Sequence, residues 1–149
     1  MSPQAGDAAP AFEAPDQQGQ THRLEDYRGK KVALYFYPKD DTPGCTKQAC
    51  NLRDNREVLR AAGWEVLGVS VDDERSHQQF STKYDLNFPL LADPGRHIVE
   101  AYGVWKEKSM YGRKYMGTAR TTFLIDEEGV ITKVIGKPKV SEHAAEILK

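Results

Sequence analysis

Two cysteines stand five residues apart in YPKDDTPGCTKQAC (37–50), and they are the only two in the chain. Thiols this close can do redox chemistry, bind a soft metal, or simply fill the core as small hydrophobes. The residues before them narrow the choice. Thr42 is a favourable helix N-cap, Pro43 suits the first helical position, and Cys45 then falls at the third. There the thiol sits among unpaired backbone N–H groups at the positive end of the helix dipole, which favours a thiolate. Asp40 and Asp41 act in the opposite sense, because nearby carboxylates disfavour the thiolate. They are expected to form a solvated approach to the helix.

On one unbroken helix the Cα atoms of Cys45 and Cys50 would lie about 8.7 Å apart. A disulfide needs roughly 4.4–6.8 Å. The pair therefore closes only if the first turns of the helix unwind, unlike a C-x-x-C pair, whose bridge fits the folded helix start. Cys45 is expected to react alone, with Cys50 reaching it after a local rearrangement.

The elements that would hold these thiols follow from the apolar pattern. KKVALYFYP (30–38) and WEVLGVSV (64–71) are apolar on both faces, as in the middle of a sheet. Between them, Thr46 to Ala62 reads as one helix, with an Arg53–Glu57 surface pair and Gly63 as its stop. Strand, helix and strand make a crossover with parallel neighbours. The thiols thus lie at the carboxyl end of a central strand, where open α/β sheets bind ligands. PAFEAPDQQGQTHRL predicts a hairpin turning at Asp16 to Gly19. Asp73 to Tyr84 predicts a second helix, 88–93 a short strand, and 94–103 a short helix. RTTFLIDEEGVITKVIG (120–136) predicts two antiparallel strands turning at Glu127 to Gly129. Ser141 is the expected cap of a last helix, and KEKSMYGRKYMG (106–117) reads as a long loop. The fold class is α/β: a central mixed sheet with helices on both faces, of thioredoxin-like proportions, with an N-terminal hairpin extension. Residues 1–149 are expected to form a single domain.

The 149 residues carry a net charge of −1, with 39 % hydrophobic and 29 % charged residues. That balance gives no electrostatic case for nucleic acid or an anionic membrane. No stretch approaches the roughly 20 apolar residues of a membrane span, and the N-terminus lacks the regions of a signal peptide. A cytoplasmic location is expected. His22, His77, His97 and His143 show no ligand spacing to the cysteines and receive no role. Tyr37 and Trp105 are read as core or pocket-wall residues.

YFYPKDDTPGCTKQAC resembles the peroxiredoxins, most closely the bacterioferritin comigratory (peroxiredoxin Q) subfamily. The motif Pro-x-x-x-Thr-x-x-Cys is met by Pro38, Thr42 and Cys45. The likeness continues through LRDN (52–55), VLGVSVD (66–72), FPLLAD (88–93) and TTFLIDEEGVI (121–131). The Asp40–Asp41 pair is a departure from the expected pattern. The resemblance implies a thioredoxin fold that reduces hydrogen peroxide and organic hydroperoxides. It makes Cys45 the peroxidatic and Cys50 the resolving cysteine, gives Arg120 a place beside the thiol, and names thioredoxin as the reductant. Pro38 and Pro43 would fix the loop and help exclude water. No cofactor or metal is implied, and intramolecular resolution makes a monomer the expected state. Two rival readings share the fold: a dithiol–disulfide exchanger, and a carrier of copper or zinc bound through Cys45, Cys50 and a histidine.

Ionisation alone does not make a peroxidase. If a thiol's pKa fell from ~8.5 to ~6, its thiolate fraction at pH 7 would rise about thirty-fold. With a Brønsted slope of ~0.45 the less basic thiolate loses roughly thirteen-fold in nucleophilicity. A net gain of about two- to three-fold remains. The rest must come from donors aimed at the oxygen that departs, such as Arg120 and the backbone N–H of Cys45, while the Thr42 hydroxyl can hold the peroxide or the thiolate.

Overall fold

A computed structural model describes residues 2–149. Its centre is a five-stranded sheet in the order β5-β4-β3-β8-β9. These strands are β3 (Lys31–Phe36), β4 (Trp64–Ser70), β5 (Leu90–Ala92), β8 (Thr121–Ile125) and β9 (Ile131–Ile135). β3 runs parallel to β4, and β4 to β5, while β8 is antiparallel to both β3 and β9. The sheet is mixed as expected, and its central strand β3 leads directly to the cysteines.

Strand alternation divides the core in two. Val32, Leu34 and Phe36 of β3 point to the face covered by Phe12, Ala14, Val99 and Tyr102. Ala33, Tyr35 and Tyr37 point to the opposite face, against Cys45, Ala49, Leu52, Leu59, Phe80 and Ile147. The first face is closed by the N-terminal hairpin, β1 (Glu13–Pro15) with β2 (Thr21–Arg23), and by α4 (His97–Ala101). Four helices close the second: α1 (Pro43–Asp54), α2 (Arg56–Ala61), α3 (Glu74–Tyr84) and α5 (His143–Leu148). Gly68 of β4 makes room for this packing, since a Cβ there would stand 2.9 Å from both Tyr35 and Leu90.

Three local expectations change. The helix expected to run to Ala62 is broken at Asn55, whose side-chain amide donates to the Asn51 carbonyl at 2.8 Å. A side chain that satisfies a backbone carbonyl in this way competes with helix continuation. Arg53 turns from the expected partner Glu57 to Asp54 and to the Tyr84 carbonyl. The final helix is capped at Glu142 rather than Ser141, and its first turn is held by Asn51 Oδ1, which accepts from the Ala144 N–H at 2.8 Å. Gly63 stops α2 as expected, at φ +89°.

The fourth difference lies beside the cysteines. Residues 106–117 form a hairpin, β6 (Trp105–Met110) with β7 (Arg113–Thr118), instead of a loop. Tyr111 and Gly112 turn it with φ of +52° and +77°. Positive φ at both central residues is the two-residue turn whose twist matches the flanking strands. Among the described residues no helix is long and apolar enough to cross a membrane.

Candidate active site

Cys45 is the third residue of α1, after Pro43 and Gly44, and is 2 % exposed. Its register on the helix follows from the apolar stripe Cys45, Ala49 and Leu52, which turns inward with Gln48 between them. The sulfur therefore faces the carboxyl end of β3 and the amino end of β8 rather than solvent. Arg120, immediately before β8, reaches it there. Its Nη2 donates to Cys45 Sγ at 3.3 Å, and its Nη1 donates to Gln48 Oε1 at 2.7 Å. One guanidinium is thus fixed at both prongs by residues one helical turn apart. Gly44 admits it closely, because a Cβ at this position would lie 3.2 Å from Nη2.

A second cation comes from the hairpin. Lys108 of β6 is half-buried, and its ammonium pKa is held below the usual lysine value, first by burial and then by the charge of Arg120. Cys45 pulls the same group upward, which places Lys108 within electrostatic reach of the thiol. Sequence reasoning missed this residue by reading 106–117 as a loop. The glycine at Gly112, suited to a two-residue turn, was the available signal.

Thr42 occupies the N-cap position in an extended conformation, φ −100° and ψ 157°. Its hydroxyl makes no capping bond and donates instead to the Lys39 carbonyl at 2.9 Å. The expected cap is therefore positional only. Pro43 is the first helical residue and is itself exposed. Pro38 is half-buried just after β3. Cys50 is half-buried farther along the same unbroken helix, and both thiols are free.

Of the two aspartates expected to form a solvated approach, Asp41 is exposed and Asp40 is not. Asp40 is buried and accepts from Tyr37 Oη at 2.6 Å and from Ser76 Oγ at 2.7 Å, with His77 Nδ1 also at 2.7 Å. Asp41, at φ +57°, accepts from Lys83 Nζ at 2.8 Å and Tyr84 Oη at 2.7 Å. The Lys83 and Tyr84 bonds hold its carboxyl below the ordinary range. Partners on α3 thus answer both carboxylates.

A buried thiol at a helix N-terminus, clamped by an arginine from the neighbouring strand, is the arrangement the sequence resemblance anticipated. The model of the AhpC/TSA family matches residues 5–134. The chain belongs to the AhpC/TSA family. A Coxiella burnetii relative named as a bcp peroxiredoxin is 53 % identical over 148 residues, covering 99 % of this chain and 98 % of that protein. The structure of a cysteine-to-serine variant of Xylella fastidiosa PrxQ superposes with a TM-score of 0.93 at 32 % identity, covering 99 % and 94 % of the two chains. Structures of the Xanthomonas campestris bacterioferritin comigratory protein, described in terms of its alkyl peroxide reduction, reach a TM-score of 0.86 at 36 % identity, over 92 % and 87 %. The family confirms the thioredoxin-like fold, and it makes this chain a thiol peroxidase.

Within this AhpC/TSA protein the structure brings together Cys45, Arg120 and the start of α1, with Thr42 and Pro38 on the adjoining loop. Cys50 stands apart from that group. The rival metal site finds no support in placement. Among the described residues neither cysteine joins a group of three metal-capable side chains. Such a group is formed by Asp40, Asp72 and His77, whose ligand atoms lie within 4.8 Å of one another.

Proposed function

We propose that Cys45 is the nucleophile of this thiol peroxidase, that Arg120 is its principal electrophilic partner, and that Cys50 resolves the oxidised sulfur. The observation that carries the reading is the 3.3 Å contact of Arg120 Nη2 with a buried sulfur at the third position of α1. The Cys45 thiolate attacks the terminal oxygen of a hydroperoxide. The O–O bond breaks, the sulfur is oxidised by two electrons to a sulfenic acid, and the second oxygen leaves as water or an alcohol after taking a proton. Arg120 donates to the sulfur before attack and faces the oxygens on which charge develops during it. The Cys45 backbone N–H supplies a further donor. The Thr42 hydroxyl, which itself donates to Lys39, accepts from the peroxide, and Pro38 fixes the loop that carries them.

Cys50 then condenses with the sulfenic acid, losing water and forming an intramolecular disulfide. Both cysteines lie on α1, so this step requires the helix to unwind locally. An external dithiol protein, thioredoxin in this reading, reduces the disulfide by exchange. The substrates are hydrogen peroxide and organic hydroperoxides. Resolution within one chain makes a monomer sufficient, and the free thiols suit a reducing cytoplasm.

A single turnover tests the scheme. Reduced protein is mixed with one equivalent of hydrogen peroxide, thiols are followed in time, and the intact mass is taken at the end. Rapid loss of both thiols with a mass decrease of two hydrogens is expected, and Cys50→Ser should stop at a sulfenic acid on Cys45. Thiol loss no faster than that of free cysteine would remove the peroxidase reading and favour the exchanger.

A further inference from the structure

His77 of α3 is fully buried, and both of its ring nitrogens face oxygen acceptors. Nε2 lies 2.9 Å from the Leu91 carbonyl, which only accepts, so Nε2 carries a proton. Nδ1 lies 2.7 Å from Asp40 Oδ2. A bare Nδ1 facing a carboxylate would set two acceptors against each other, so a second proton bridges this contact. Two features place that proton on nitrogen. Asp40 already accepts through both oxygens, from Tyr37 Oη at Oδ1 and from Ser76 Oγ at Oδ2, which leaves Nδ1 as the donor. A second carboxylate, Asp72, stands in the same cluster. Asp72 Oδ2 is itself taken by the Asp40 backbone N–H and by Ser70 Oγ, so these groups are satisfied by one another rather than open to an ion.

We infer that Asp40 and His77 form a buried carboxylate–imidazolium pair that anchors the loop between β3 and α1 to α3, which makes them positioning residues for Cys45. This rests on the reading of Cys45 as the nucleophile. The anchor holds residue 40 by its carboxylate and by its backbone N–H, while Lys83 and Tyr84 hold Asp41. Thr42 is tied back to Lys39 of the same loop. Cys45 thus hangs one helical turn beyond a segment fixed from three sides. When α1 unwinds to let Cys50 approach, this loop is the part that stays in place.

Nitrogen-15 NMR of the ring tests the pair directly, with the His77 signals assigned by their loss in His77→Gln. In the wild type at pH 7 both ring nitrogens should carry protons. In Asp40→Asn the amide can donate to Nδ1 of a neutral ring and to Ser76 Oγ while still accepting from Tyr37, so Nδ1 should lose its proton. A bare Nδ1 in the wild type overturns the pair. Kinetics test the positioning role. Asp40→Ala should lower the rate with peroxide at least ten-fold while changing alkylation of Cys45 by iodoacetamide less than two-fold. Asp40→Asn should retain peroxide reactivity within three-fold. Equal losses in both reactions, or no loss with peroxide, would overturn the positioning role. If the wild type itself showed no rapid reaction with peroxide, the nucleophile reading would fail and positioning with it, whereas the ring nitrogens would still decide the pair.

Discussion

Arg120 Nη2 lies 3.3 Å from Cys45 Sγ, and the other prong of the same guanidinium lies 2.7 Å from Gln48 Oε1. Cys45 and Gln48 are three residues apart on α1, so the helix repeat sets the distance between the two acceptors of the fork. Arg120→Met removes a preorganised donor from a buried site. The second-order rate with hydrogen peroxide should fall by about 10²–10³, the usual cost of losing one such donor. Stopped-flow thiol oxidation measures it, and a loss below five-fold would rule out Arg120 as the main electrophile. Gln48→Ala leaves the guanidinium in place but untethered and should cost less than Arg120→Met.

The Thr42 hydroxyl is not used to cap α1, since it donates to the Lys39 carbonyl. A threonine hydroxyl can still accept while donating, which leaves it able to receive a hydrogen bond from a peroxide. Thr42→Val keeps the branched shape and removes the oxygen. Peroxide reactivity should drop at least ten-fold more than iodoacetamide alkylation of Cys45. Parallel losses in the two reactions would show that the hydroxyl acts only on loop shape.

His143 of α5 is buried, with Nε2 2.8 Å from Thr122 Oγ1 and Nδ1 2.9 Å from Glu146 Oε1. Burial lowers its pKa below the ordinary 6.5, Glu146 opposes that shift, and the charge of Arg120 adds to it. The unfolded chain therefore takes up this proton more readily than the folded one. The contribution is complete above about pH 6.5 and is lost as pH falls toward the folded value. Melting temperatures at pH 7.5 and 5.5 should differ more for the wild type than for His143→Gln. Glu146 sits below its ordinary value despite burial, because the His143 and Lys139 hydrogen bonds outweigh it, so its own loss belongs to more acidic solutions. Equal falls in the two proteins would exclude His143 as the sensing group.

The central strands were readable because burial on both faces leaves an uninterrupted apolar run, as in ALYFY (33–37) and VLGVS (66–70). Thr-Pro-Gly-Cys was readable because each residue has its own reason to begin a helix. Arg120 was different. Nothing in its neighbourhood marks it, and the family likeness alone singled it out, because the strand that brings it to Cys45 lies 75 residues away in sequence. The β6–β7 hairpin was lost for another reason. It joins no large core, so most of its side chains are exposed and its strands lack a buried apolar stripe. Asp40 read as solvated because its partners Ser76 and His77 come from a helix more than thirty residues on.

Closing the Cys45–Cys50 disulfide should be felt beyond α1. Asn51, the residue after Cys50, donates through Nδ2 to the Ser141 carbonyl at 3.1 Å and accepts the Ala144 N–H at 2.8 Å. α5 therefore depends for the start of its first turn on a side chain from the segment that must unwind. Oxidation should raise hydrogen exchange over residues 43–52 and also over 143–148, while β3 and β4 stay protected. Asn51→Ala should expose α5 to exchange already in the reduced protein and cost about 1–3 kcal/mol of stability, the range for an unpaired buried backbone donor. Protection unchanged by oxidation in both segments would mean that Cys50 reaches Cys45 without unwinding α1, or not at all.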